Sequence, residues 1–300
     1  MRITDRVLAD TLTSNLASAS ERLFEKEQRV LSGKILSKPS DNPVDATNSL
    51  LFRARLNDTE QYKRNITQSQ NFLNQTNTAL SALSEIIDKV NTAATSGASG
   101  INSTGEQTSL TQQVNEFLEE LLTIANTESN GVYILGGTNN DRPPYQAVRN
   151  AAGEIVDVKT TGSGGDINSQ VGENIYVKSN INGQDVFEKD RNLFSTVIKI
   201  RDDIRADNAE GLRGDLMQLS ASTENLITTQ SIVGSRLNRL SAAEARAEKD
   251  VVNFKDYISN VEDADPSKAI LDYQMELSAL QSSQQASARL LNQSLLDFLR

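Results

Sequence analysis

The side chains in this sequence that could act as acids, bases or metal ligands are carboxylates, and some stand in adjacent pairs, Glu119/Glu120 and Asp202/Asp203. Two carboxylates whose surroundings push their pKa values apart can run general acid–base chemistry. Both pairs fall inside amphipathic helical patterns, however, where charged residues face solvent by default. Asp41, Asp45, Asp263 and Asp265 flank prolines and read as turn and helix-start residues. There is no His and no Cys, which removes the commonest general acid/base and the commonest zinc ligands. No Ser sits in a nucleophile-elbow context, and no His exists to activate one. Gly162-Ser163-Gly164-Gly165 has the glycine density of a phosphate-cradling loop. It lacks the Gly-Lys-Ser/Thr ending and a helix directly after it, so it reads as a flexible turn. The expectation is a protein that is not an enzyme and holds no cofactor or metal, with its function in shape and assembly.

Composition points the same way. The 300 residues carry a formal net charge of -10 and a pI near 4.7, so phosphate backbones would repel the chain and nucleic acid is not an expected partner. Only 37% of residues are apolar and 5% aromatic, which suits narrow apolar stripes packed lengthwise better than one large core. The residues from Met1 to Asn15 show no apolar run of signal-peptide type. No stretch approaches the ~18 apolar residues of a membrane span. Taken alone, this would place the chain in the cytoplasm, without membrane insertion.

Periodicity supplies the elements. Leu212, Leu219, Leu226, Val233, Leu240, Ala247, Phe254 and Val261 recur every seven residues, with a looser companion series of Leu216, Thr223, Gln230, Leu237, Glu244, Val251 and Ile258. The pattern predicts one helix about 75 Å long with a coiled-coil seam, weakened by roughly 1 kcal/mol at each of Gly214 and Gly234. Ile66, Leu73, Leu80, Ile87 and Ala94, flanked by Ser69, Thr76, Leu83 and Val90, predict its partner. Leu110, Val114, Phe117 and Leu121 predict a shorter helix. The expected seam of the rod is Leu73, Leu80, Ile87, Leu219, Leu226, Val233, Leu240 and Phe254.

Both chain ends are amphipathic as well. Ala9, Leu12, Leu16, Ala19 and Leu23 form a seam that fails at Lys26 and resumes at Val30. At the other end lie Ile270, Leu277, Leu280, Leu291, Leu295 and Phe298, and Arg289 is the one charged residue between Leu277 and Leu296. So little charge suits a helix that packs against copies of itself or a partner; burial at the end of an ordinary bundle is the alternative. The expected packing residues are Leu12, Leu16, Leu23, Leu277, Leu280, Leu291, Leu295 and Phe298. Between Gly136 and about residue 190 the helical period stops. Glu154–Val158 and Asn174–Val177 read as strands and Asn182-Gly183 as a hairpin-type turn. The fold class expected is mainly α: a long antiparallel helical rod with a small, solvent-facing β-rich insert.

Three segments resemble a known family. Leu31-Ser32-Gly33-Lys34-Ile35 through Pro39-Ser40-Asp41-Asn42-Pro43 is similar to the turn shared by flagellins and the hook-associated junction proteins. In it Gly33 permits a tight reversal, Ser40 and Asp41 can cap the next helix, and Pro43 stands near its first turn. Val261-Glu262-Asp263-Ala264-Asp265, about forty residues from the end, resembles the flagellin C-terminal junction. Gly131-Val132-Tyr133-Ile134-Leu135-Gly136-Gly137-Thr138, followed by Arg142-Pro143-Pro144-Tyr145, resembles a signature of the hook-associated protein 3 family, as does the ending Ser294–Arg300. The sequence departs from the pattern at Asn42, where Asp is frequent, and at Asp45, where a small residue is usual.

The resemblance implies a structural subunit of the bacterial flagellum that joins hook to filament in an adaptor ring. Such a subunit would leave the cell through the flagellar type III export channel without a cleaved signal peptide, which reverses the cytoplasmic reading. Its implied partners are copies of itself, a neighbouring hook-associated junction protein on the hook side, flagellin on the filament side, and a cytoplasmic export chaperone at the C-terminal helix. The implied division is a terminal-helix inner-tube domain (1–45 with 262–300), a helical rod domain (46–135 with 194–261) and an outward insert (136–193). The rival within the class is filament flagellin. From another class, a secreted coiled-coil adhesin or enzyme would need its activity in the insert.

Overall fold

The computed structural model describes residues 2–99, 103–129, 131–189 and 191–298, and the side chains at 1–6, 8 and 290–300 lie outside that description. In chain order its elements are α1 (Arg2–Ser32), α2 (Pro43–Ala98), α3 (Thr104–Ala125), β1 (Glu128–Ser129), β2 (Val132–Tyr133), β3 (Tyr145–Arg149), β4 (Ile155–Thr160), β5 (Asn168–Gly172), β6 (Ile175–Lys178), α4 (Gly183–Phe187), α5 (Leu193–Arg205), α6 (Ala209–Glu262) and α7 (Pro266–Phe298). The strands pair as three antiparallel two-stranded hairpins, β1–β2, β3–β4 and β5–β6. The mainly helical class expected from periodicity is therefore the class observed. The chain forms two compact units, one of residues 1–58 with 250–300 and one of 59–249.

The larger unit holds the main core. There α2 and α6 run antiparallel, with Gln70 paired to Glu244 and Lys63 to Glu248. The whole series Ile66, Leu73, Leu80, Ile87 and Ala94 is buried, together with Ser69, Thr76, Leu83 and Val90. From Ala79 onward a third row, Ala79, Ile86 and Ala93, is also buried, because that stretch packs among other helices of the same core. On α6 the leading series Leu212–Ala247 is buried, but its companion differs from the expected one. Asp215, Ser222, Thr229 and Ala243 are the buried partners, while Leu216 and Leu237 flank the core half-buried. The hydroxyls of Ser222 and Thr229 donate to the carbonyls four residues earlier, so these small polar residues enter the seam with their hydrogen bonds made. Gly214 and Gly234 lie within the helix with open space around them.

Shorter elements close this core. Ser103 and Glu106 form a reciprocal capping box at the start of α3, whose Val114, Leu118, Leu121 and Ala125 are buried; Leu110 and Phe117 sit at the edge instead. Residues 136–193 share the same apolar core through Tyr145, Ile155, Val158, Val177 and Phe187. Tyr145, Phe187 and Phe194 form an aromatic cluster with centroids 5.0–5.2 Å apart.

Two turn readings change. Asn182-Gly183 does not turn a hairpin; it begins α4, and Asn182 is buried with its amide donating to Gly164 O and Asp166. The turns of the β3–β4 and β5–β6 hairpins fall at Asn150–Gly153 and at Asn174, where Gly153 (φ 85°) and Asn174 (φ 56°) take the left-handed conformation. The Gly162–Gly165 segment is a packed loop rather than a loose turn. Ser163 N donates to Gly136 O, and Ser163 Oγ accepts from the backbone amides of Thr138 and Asn139. At Gly137 (φ 67°) a Cβ would lie 1.8 Å from Ser163 O, so only glycine fits.

Candidate assembly interface

In the smaller unit, two turns far apart in sequence meet. Gly33 takes φ 67°, reversing the chain after α1. Lys34 and Asp263 then form an antiparallel bridge, with Ile35 N donating to Glu262 O at 2.7 Å and Ala264 N to Gly33 O at 2.8 Å. At the centre is Glu262, whose side chain is 7% exposed. Its carboxylate accepts from Arg53 Nε and Nη2 (2.8 and 2.7 Å), from Lys34 Nζ (2.7 Å) and from Ser49 Oγ. Three chain segments thus converge on one acid: the loop after α1, the first turns of α2 and the last residue of α6. The paired Arg53 guanidinium, aided by Lys34 and Ser49, lowers the Glu262 pKa to about 2 against the opposing cost of burial. Phe52 and Tyr257 stack beside this node with centroids 5.2 Å apart.

Helix starts around the node are set by local chemistry. Asn42, not Ser40 or Asp41, caps α2: its Oδ1 accepts from the amides of Val44 and Asp45, while its amide group donates to Asp45. Pro43 occupies the first helical position, where a missing N–H costs nothing. Asp41 instead closes the preceding loop, accepting from Ser37 N and Lys38 N, and these bonds hold its pKa below the usual carboxylate range. Pro39 and Ser40 lie exposed in that loop. Asp265 caps α7 through Ser267 N and Lys268 N, and Asp263 accepts from Ser259 Oγ.

From this junction α1 and α7 run together, antiparallel, with Arg22 bonded to Glu276 and Lys26 to Asp272. Leu12, Leu16, Leu23 and Leu277 are half-buried and Leu280 is buried. Lys26 does not break the seam, as the sequence pattern suggested: it is on the seam and is satisfied by Asp272 across it, and Arg29 follows half-buried while Val30 faces outward. Exposed ion pairs of this kind contribute about 0.2–1 kcal/mol each, so they fix register more than they stabilise. The side chains of Leu291, Leu295 and Phe298 lie outside the described residues. Of the rod-seam residues, Leu73, Leu80, Ile87, Leu219, Leu226, Val233 and Leu240 are buried, and Phe254 is half-buried. Pro143 is exposed and Pro144 buried, their carbonyls accepting from Thr161 and Gly162.

The smaller unit is short of core. Among the described residues its buried apolar side chains are Ala19, Ala46 and Leu280, against 36 in the larger unit. Its large apolar residues are turned outward instead, including Phe24 (59% exposed), Leu31 (72%), Leu50 (67%), Leu271 (57%) and Met275 (62%). Monomeric proteins rarely display apolar side chains at such density unless a partner covers them. Neither Glu262 nor this outward face was singled out from sequence. The alternation of Ile270 with Leu271, and Leu50 with Leu51, hinted at it, since one helix face cannot bury both members of an adjacent pair.

The fold is that of a helical protein whose two terminal helices are pinned together at their junction, and residues 3–140 match the family described as the bacterial flagellin N-terminal helical region. The chain is 21% identical to flagellar hook-associated protein 3 of Salmonella typhimurium, over 94% of this chain and 95% of that protein. The resemblance read from the end motifs is thus a resemblance along nearly the whole sequence. Two solved structures from Legionella pneumophila share the fold. Hook-associated protein-3 is 15% identical, covering 70% of this chain and 98% of its own, with a TM-score of 0.63. The flagellar junction protein is 14% identical, covering 72% and 100%, with a TM-score of 0.59.

Proposed function

We propose that this chain is a structural subunit of the bacterial flagellum that forms an adaptor ring joining the hook to the filament. The observation that carries the reading is the outward-facing apolar side chains of the smaller unit, which among the described residues buries Ala19, Ala46 and Leu280. Burial between copies would remove that surface from water at about 25 cal/mol per Å² of apolar area. The terminal segments 1–45 and 262–300 form the inner-tube domain, 46–135 with 194–261 make the rod that contacts hook-side and filament-side neighbours, and 136–193 is the outward insert. Leu12, Leu16, Leu23, Leu277 and Leu280 pack the terminal helices of one chain together, and copies meet through the outward Phe24, Leu31, Leu50, Leu271 and Met275, joined by Leu291, Leu295 and Phe298. A hook-associated junction protein binds on the hook side and flagellin on the filament side. The chain leaves the cell by type III export without a cleaved signal peptide and acts outside it. A cytoplasmic chaperone covers residues 269–300 until then. The ring does its work by shape, without catalysis.

Deleting the gene tests this. Cells should keep their hooks, carry no attached filament and shed flagellin into the medium. Filaments attached as usual would refute the reading. Long filaments grown by the purified chain alone at high salt would point to filament flagellin instead.

A further inference from the structure

The larger unit also carries a groove with no assigned occupant. It has a volume of about 670 Å³ and lies between α2 on one side and β1, β2 and β5 on the other. Along its helical wall Arg64, Gln68, Asn71 and Gln75 follow one another at spacings of four, three and four, which puts them in one row on one face of α2. Among the described residues, the amides of Gln68, Asn71 and Gln75 have no partner inside the protein, and neither does that of Asn140 on the opposite wall. Each amide offers donors and an acceptor at once. The half-buried ring of Phe72 lies in the same wall. No carboxylate lines the groove, although the chain carries a net charge of -10. Lys63 and Arg64 mark its charged end; Lys63 is paired with Glu248, whereas Arg64 is held by Gln61 at 2.7 Å rather than by an acid.

We propose that this groove binds an acidic oligosaccharide, with the row of amides on the sugar hydroxyls, Phe72 against a sugar face and Arg64 on a sugar carboxylate. Hydroxyl groups that both donate and accept are what unpaired amides suit. An aromatic ring among a few converging polar groups is the usual lining of a small-ligand site. A guanidinium without a carboxylate partner is open to bidentate pairing with an incoming one. The other ligand classes fit less well. Strand addition by a peptide needs a backbone edge, and this wall is a row of side chains on a helix. A polyphosphate would meet the repulsion of the whole acidic chain, whereas a single carboxylate meets Arg64 first.

The test is a titration of the full-length monomer, followed by amide chemical shifts, with a tetrasaccharide that carries one uronic acid residue and with its neutral methyl ester. The acidic sugar should shift the amides of residues 63–75 and bind about tenfold more tightly than the ester, the worth of one charge-assisted contact. Arg64→Ala should abolish that preference while leaving ester binding in place. Gln75→Ala should weaken both sugars. These side chains are exposed, so both variants keep the fold, which the unchanged remainder of the spectrum checks. Equal affinity for acid and ester, or sugar shifts lying elsewhere, would overturn the proposal. So would a Gln75→Ala variant that alters self-association and not sugar binding, since a second copy would then be the occupant. The measurement is made on monomer and stands apart from whether the ring forms.

Discussion

Replacing Glu262 with Gln should loosen the smaller unit at one defined place. The substitution keeps the side-chain shape but removes the charge that Arg53, Lys34 and Ser49 share, and it turns one acceptor into a donor facing two cations. A carboxyl lowered from 4.5 to about 2 represents about 3 kcal/mol at 1.36 kcal/mol per pKa unit. Lys34 and Arg53 are themselves 42% and 49% exposed and regain water when the contact is lost, which brings the expected cost to about 2 kcal/mol. Opening of the Gly33 turn should then be about thirtyfold more frequent. The reporters are the amides of Ile35 and Ala264, which bond across the turn. Their hydrogen exchange should accelerate by that factor at neutral pH, while the Ile86 and Leu226 amides of the other unit keep their rates. The pH dependence has a definite sign. Because the folded pKa lies below the unfolded one, the stabilisation is complete above about pH 4.5 and disappears as pH falls toward 2. The Gln variant should show no such loss through this window. Unchanged exchange at Ile35 and Ala264, or an identical acid profile in both proteins, would refute the idea that this carboxylate holds the two turns together.

Other substitutions probe the larger unit. Gly137→Ala meets Ser163 O at 1.8 Å with φ at 67°, so it should displace the Gly162–Gly165 loop and cost about 1–3 kcal/mol in thermal unfolding. Leu226→Ala, at a fully buried seam position, should cost about 3 kcal/mol in urea unfolding, and Ile227→Ala next to it, 56% exposed, less than about 0.5. Asp215 is buried with one oxygen unpartnered, and burial together with Asp203 raises its pKa. Its ionised form therefore costs stability as pH rises through that raised value, so Asp215→Asn should be the more stable protein at pH 7 and lose its advantage in acid, as chemical denaturation at the two pH values would show.

Legibility followed the physics of burial. The α2 series from Ile66 to Ala94 could be read in full because that face is covered within the chain along its whole length and apolar side chains are what such contacts require. On α6 the more hydrophobic companion, Leu216 and Leu237, was the natural choice, yet the core took Ser222 and Thr229. Small side chains allow closer approach, and a hydroxyl bonded to its own helix carries little polar penalty. Asn42 and Asn182 show a second limit. Cap and turn share the same residue types, so Asn-Gly alone cannot tell a hairpin from a helix start until tertiary neighbours choose. Glu262 was hidden for a third reason. Its partners lie 209 to 228 residues away in sequence, and no local period marks an acid that long-range contacts will bury.

The chain ends are where pattern and packing part, and the reason bears on function. A seam read from sequence assumes that apolar means inward. In the smaller unit Lys26 and Asp272 face each other across the helix pair, while Phe24, Leu271 and Met275 face out. Reversing them would bury more apolar area in the single chain, at about 25 cal/mol per Å², and would leave nothing for a neighbour to cover. A sequence that sets ion pairs between its own two helices and keeps its large apolar residues outside is therefore stabilised less as a monomer and more in company. If the proposed ring forms, the irregular heptads at the ends and the regular ones at Leu212–Ala247 follow one rule: apolar side chains face the surface that is covered, within the chain for α6 and between chains for α1 and α7.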